Sequence, residues 1–202
     1  MSKKPATLFQ RSVFALTMAV AGLGLAACTT TLPPQGKQTV AERRADVNAR
    51  ADAALKRLYE VAPDARSAVS KAKGVLVFPR VLSASFVVGA EHGDGVLRVN
   101  GKDEGYYSVS GGSIGFQAGA QSKAIVLLFM TQEALDQFRA SNGWTVGANA
   151  TVAVANIGAN GTIDTNTFRE PVVAFVMTNA GLMAGVSLEG TKINKLENMS
   201  QP

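Results

Sequence analysis

Apolar positions change from a helical to a strand period near Gly74. Between residues 40 and 72 they recur at helical spacing, with Val47, Ala51, Ala54, Leu55 and Leu58 on one side and Arg43, Asp46, Arg50, Arg57 and Glu60 on the other. Thr39-Val40-Ala41-Glu42 has the spacing of a capping box, so a helix is expected to start there. Pro63 interrupts it and suits the first turn of a second, short helix through Ala65, Ala68, Val69 and Ala72, ending at Lys73-Gly74.

From Gly74 the period becomes two. Gly74 to Pro79 reads as a short buried strand, and Ser85 to Glu91 and Val96 to Val99 as strands joined by a turn at Asp94-Gly95. Asn100-Gly101 predicts a second turn leading into Gly105 to Ser108, and Ser113 to Gln121 alternates as one strand. Lys123 to Met130 is continuously apolar, fit for a central strand covered on both faces. Thr131 caps a helix over 132–140 that Asn142-Gly143 ends. Trp144 to Val154 alternates again, Asn160-Gly161 turns, and Pro171 to Thr178 and Leu182 to Leu188 supply the last strands. The expected class is α+β: a largely antiparallel, curved sheet or sandwich of about eight or nine strands, with two N-terminal helices and one inserted helix.

The first 28 residues change this picture. Lys3, Lys4 and Arg11 precede an apolar, small-residue run from Val13 to Ala27, which is too short for a membrane span and ends in Leu25-Ala26-Ala27-Cys28. This resembles a bacterial lipobox and implies that Cys28, the only cysteine, carries a covalent lipid. Residues 1–27 are then a lipoprotein signal peptide, 28–38 a flexible tether, and 39–198 the folded domain. Thr29 follows the cysteine in place of the Asp that retains many lipoproteins at the inner membrane, so an outer-membrane, periplasm-facing domain is expected. A plain secreted protein with a leftover thiol is the alternative, and an odd cysteine is a liability outside the cytoplasm. The net charge of +5 falls to 17 − 15 = +2 once the three basic residues before Cys28 are set aside.

Chemical motifs exclude more than they suggest. Gly111-Gly112-Ser113-Ile114-Gly115 has the form of a nucleophile elbow, but its surroundings alternate as a strand and the single histidine, His92, precedes it. His92 reads as an exposed loop residue beside Gly93-Asp94-Gly95. One histidine and a lipidated cysteine leave zinc, haem and iron–sulfur centres without ligands; calcium on Asp94, Asp103 and Glu104 is a weak alternative. No metal, cofactor or catalytic residue is assigned, and a charge of +2 without a basic aromatic face argues against nucleic acid.

One asymmetry remains. Residues 37–73 carry nine basic and five acidic side chains, a balance of +4, whereas 74–202 carry eight and ten, a balance of −2. Arg43, Arg50 and Arg57 recur every seven residues and so share a helix face. Together with Lys56, Lys71 and Lys73 they are the candidate contacts to anionic membrane lipids. The competing reading makes them solvated, with the apolar stripe docked on the sheet and Asp46–Arg50 and Asp52–Lys56 forming ordinary i,i+4 pairs.

Ala72-Lys73-Gly74-Val75-Leu76-Val77-Phe78-Pro79, the glycines at 89, 93 and 95, Gly105-Tyr106-Tyr107, Gly115-Phe116-Gln117-Ala118-Gly119-Ala120 and Gly181-Leu182-Met183-Ala184-Gly185-Val186-Ser187-Leu188-Glu189-Gly190 resemble the SYLF lipid-binding domain family over residues ~40 to 195. The resemblance implies a non-enzymatic, membrane-associating domain. Eukaryotic members bind phosphoinositides and some bundle actin, while bacterial members are mostly lipoproteins. A module of the cell envelope that binds another envelope protein, with the lipid only localising it, is the second class left open.

Overall fold

The computed structural model describes residues 38–85, 88–114, 119–155, 163, 165–183 and 185–200. Residues 1–37, which hold the expected signal peptide, Cys28 and most of the expected tether, lie outside them, as does the turn expected at Asn160-Gly161. Residues from Gln38 onward form one compact unit.

The architecture is α+β. Helix α1 (Val40–Val61) starts at the expected capping box, with the Glu42 amide donating to the Thr39 hydroxyl and the Thr39 amide to the Glu42 carboxylate. The hydrogen bond from the Thr39 amide foremost, with the Thr39 side chain beside it, holds the Glu42 carboxyl below its usual range. Helix α2 (Ala65–Lys71) follows. The strands are β1 (Gly74–Ser85), β2 (Val88–Val99), β3 (Lys102–Ile114), β4 (Gly119–Phe129), β5 (Trp144–Thr145), β6 (Ala153–Val154), β7 (Val172–Thr178), β8 (Gly181–Leu182) and β9 (Lys192–Lys195). Helix α3 (Gln132–Ala140) lies between β4 and β5, and α4 (Glu197–Ser200) ends the described chain. The strand order is β5-β9-β3-β2-β1-β4-β7-β6, with β8 paired to β7; all pairings but β6–β7 are antiparallel.

The sheet carries a core on each face. On one, Val47, Ala51, Ala54 and Leu58 of α1 pack on Val75, Val77, Val126, Leu128 and Phe175, so the predicted apolar stripe docks on the sheet. On the other, Leu135 and Phe138 of α3 join Leu76, Leu127, Phe129 and Trp144. The Phe138 ring lies 4.9 Å from Tyr107, 4.8 Å from Phe129 and 5.6 Å from Trp144. With a core on both sides, the middle of the sheet must be apolar throughout, which is why Ile125–Phe129 shows no alternation.

Several sequence expectations need correction. Asp94-Gly95 is not a turn: β2 runs through it from Val88 to Val99, paired antiparallel to β1. The glycines answer a β-bulge in β1. Five steps from Val77 to Leu82 oppose four on β2, from Val96 to His92, and the extra residue falls at Pro79-Arg80, between Phe78 and Val81. A Cβ on Gly93 would lie 2.5 Å from the Arg80 carbonyl oxygen, and one on Gly95 2.5 Å from that of Val77. Only glycine lets β2 approach the bulged backbone. By contrast, Asn100-Gly101 is a turn as expected, both residues having positive φ (51° and 75°).

The stretch 113–121, expected as one strand, is divided between β3 and β4, with residues 115–118 outside those described. Trp144–Val154 is not one strand either. The Thr145 amide donates to the Asn149 side chain at 2.7 Å, and Gly147 sits at φ 85°, so a local turn replaces ladder pairing. Leu182–Leu188 leaves the sheet after Leu182, since Gly185 at φ 68° is incompatible with an extended strand. Strand β9 and helix α4 were not expected; β9 buries only Ile193 and carries no readable alternation.

Candidate functional site: an arginine-lined cleft between α1 and the sheet

Arg50, Ala53, Ala54 and Arg57 of α1 face Pro79 and Arg80 at the β1 bulge, Ser122–Ala124 of β4 and Met177–Asn179 at the end of β7. They enclose a cleft of about 280 Å³. Its floor is made of small or apolar groups, and no carboxylate lines it among the described residues.

The cations differ in how they are held. The Arg57 guanidinium donates to the Thr178 carbonyl at 2.5 Å and to the Asn179 side-chain oxygen at 3.1 Å, both neutral acceptors, so it is fixed in place with its charge intact. Arg50 pairs with Asp46 at 2.7 Å, both side chains being more than two-fifths exposed, an arrangement that screening makes weak. Arg80 is exposed, and its side chain makes no hydrogen bond or ion pair among the described residues. The bulge that places it there is a device that re-aims side chains. Lys123 contributes no free charge: it pairs across the sheet with Val81 of the opposite core, and its ammonium is 2.7 Å from the Glu91 carboxylate.

The remaining sequence candidates do not converge here. Arg43 donates to Asp94 of β2 at 2.5 Å, which diverts it from the face it was expected to share with Arg50 and Arg57. Lys56, Lys71 and Lys73 are exposed and outside the cleft. Helical spacing identified two of the three cleft arginines. Arg80 was missed, although a proline in mid-strand opposite two glycines is the sequence signature of a bulge.

The other groups considered are dispersed. Ser113 lies on β3 paired to Gly89, not on a strand-to-helix turn, and His92 is paired to Ser110, three positions along. His92 is exposed as expected but sits within β2 rather than in a loop. The carboxylates weighed for calcium are engaged separately, Asp94 with Arg43, Asp103 with Arg98 and Asn48, and Glu104 with Arg139. Burial works against the Arg98 charge, but hydrogen bonds to Asp52 (2.5 Å) and Asp103 (2.9 Å) outweigh it and hold the guanidinium more firmly protonated. Among the described residues no cluster of His, Cys, Asp or Glu could hold a metal, and no helix is long and apolar enough to cross a membrane.

Comparison with known proteins gives the cleft a context. The chain is 32% identical over 131 residues to the human SH3 domain-containing YSC84-like protein 1 and 30% identical over 128 residues to that of Mus musculus. In each case 61% of this chain aligns with 37% of the relative. An SH3 domain-containing protein of Schizosaccharomyces pombe is 31% identical over 134 residues, with 62% of this chain and 30% of its own length covered. The chain thus matches little more than a third of the curated relatives' length. Residues 110–201, which include the β4 and β7 walls of the cleft but not its three arginines, match the Ysc84 family model, described as Las17-binding protein actin regulator.

Proposed function

We propose that this chain is an outer-membrane lipoprotein, anchored through Cys28, whose SYLF-like domain faces the periplasm and binds anionic lipid head groups without catalysing a reaction. The observation that carries the reading is the cleft. Three arginines, two of them unmatched by any carboxylate, border an apolar floor. Its volume is at the lower end for ligand pockets, suited to a head group rather than a whole lipid. Guanidinium groups suit phosphate because their planar fork can donate two hydrogen bonds at once. Stable membrane attachment commonly needs two signals, and the lipid on Cys28 with the cleft would supply them.

Two measurements test this reading. Cys28→Ser should release the full-length protein from the membrane fraction; wild-type protein partitioning into the aqueous phase of a detergent extraction would refute the anchor. The 38–202 unit should co-sediment with phosphatidylglycerol vesicles at low salt and not with phosphatidylcholine vesicles, losing binding as salt shortens the Debye length to about 8 Å. Equal binding to both vesicle types would refute the head-group reading. The description Las17-binding favours a second reading, an envelope protein partner, in which vesicle binding would be absent.

A further inference from the structure

Beyond Ala124 strand β4 has no partner in β7, and beyond Ser110 strand β3 has none in β9. The outer ends of β3, β2, β1 and β4, in that order, therefore project as a four-stranded tongue with two unpaired edges among the described residues. From Leu82 to Ser85 this amounts to four residues of β1, about 13 Å at 3.3 Å per residue.

The described residues of the tongue carry no charge: 82–85, 88–90, 111–114 and 119–122 contain no Asp, Glu, Lys or Arg. The two ionised groups at its root, Glu91 and Lys123, pair at 2.7 Å with side chains only 9% and 16% exposed, so they cancel. Leu82 is half exposed, and Ala84 and Ala90, a directly opposed pair, are exposed on the same face. A water-facing sheet edge normally carries charged residues, lysine above all, to prevent pairing with other chains. Two uncharged edges beside an exposed Leu-Ala face imply an environment other than bulk water.

The cleft indicates what that environment is. Leu82 pairs with Ser122, which lines the cleft, and Arg80 precedes Leu82 by two residues at the root of the same face. Resting on the reading that this chain meets anionic lipid, we propose that the tongue lies in the head-group region of an anionic bilayer, with Arg80 and its cleft neighbours on the phosphates. Charge complementarity favours an anionic bilayer, since the cleft at the root of the tongue's exposed face carries three arginines and no carboxylate among the described residues. The unpaired edge amides and carbonyls limit the depth, because unsatisfied backbone groups do not enter hydrocarbon. Insertion by 5–10 Å, about the range of interfacial segments, fits a tongue of this length.

The 38–202 unit lacks the chain's only cysteine, so single cysteines can be introduced for labelling. Ala84→Cys and Ala90→Cys, and Glu133→Cys on α3 as control, would each carry an environment-sensitive NBD group. With phosphatidylglycerol vesicles the two tongue positions should shift to the blue and brighten severalfold, and nitroxides near the top of the acyl chains should quench them; Glu133→Cys should stay unchanged. Separately, Leu82→Glu with Ala84→Glu should cut vesicle-bound protein severalfold while leaving the melting temperature nearly unaltered. Vesicle binding with no response at residues 84 and 90 overturns the tongue proposal and leaves the cleft reading standing. No vesicle binding by the unsubstituted unit overturns both. A response that grows with protein concentration in the absence of vesicles identifies a second copy as the occupant and also overturns the proposal.

Discussion

Gly93→Ala is the sharpest perturbation of the device that presents Arg80. A Cβ at residue 93 would sit 2.5 Å from the Arg80 carbonyl oxygen, 3.0 Å from the Val81 Cα and 3.1 Å from the Val81 Cγ2. Two of these atoms are backbone, so no rotamer change relieves the clash and either the bulge or β2 must move. Overpacking of this kind costs about 1–3 kcal/mol. For a unit of this size, roughly 2–4 °C of melting temperature per kcal/mol gives a decrease of about 2–12 °C. Gly112→Ala is the matched control in the same sheet, with its nearest neighbour, the Gly89 carbonyl oxygen, 3.9 Å away. A compatible Gly→Ala change restricts the unfolded chain and stabilises by about 0.4–1 kcal/mol, so the control should melt at the wild-type temperature or slightly above. Differential scanning fluorimetry reads both. Gly93→Ala should also weaken binding to phosphatidylglycerol vesicles, because Arg80 is displaced with the bulge. Coincident melting of the two variants would refute the close-approach argument, and with it the link from Gly93 to Arg80.

Two further predictions concern the core beneath α3. Phe138→Ala removes a fully buried ring that contacts Tyr107, Phe129 and Trp144, and should cost about 3–5 kcal/mol, seen as a lower denaturation midpoint with little change in the denaturant slope. Burial, helped by the Glu104 carboxylate, pushes the Tyr107 hydroxyl up to about 12. Since the folded state holds that proton more tightly than the unfolded chain, at about 10, the stability this contributes is complete below pH 10 and is lost as pH rises towards 12. Tyr107→Phe should therefore flatten the alkaline limb of the stability profile between those values; an unchanged slope would contradict the assignment.

The three longer helices were legible because they are governed by local rules. The capping box at Thr39, the 47–51–54–58 stripe and the Thr131 cap each act within one turn, and each forms as the spacing predicts. The strands were legible where a core covers them and obscure where glycine has more than one use. Asn100-Gly101 turns because nothing approaches it, the position of a Gly101 Cβ being open space, whereas Gly93 and Gly95 serve close packing against a neighbouring strand that local sequence does not name. The same holds for the cleft. A seven-residue repeat placed Arg50 and Arg57 on one face, but the destination of Arg43 depended on Asp94, 51 residues away, and Arg80 entered through a bulge. Long-range register decides which cations remain available, and periodicity along one helix cannot carry that information.

The central claim is that a specific cleft, rather than diffuse positive charge on the N-terminal helices, recognises anionic head groups. Two variants of the 38–202 unit separate these by removing three charges each. Arg50→Gln with Arg57→Gln and Arg80→Gln neutralises the three arginines of the cleft, and Lys56→Gln with Lys71→Gln and Lys73→Gln neutralises exposed lysines outside it. Co-sedimentation with phosphatidylglycerol vesicles across a salt series, with melting temperatures measured alongside, should show the arginine variant folded but unable to bind and the lysine variant binding close to wild type. Equal losses in both variants, or full retention in the arginine variant, would contradict a cleft-based site.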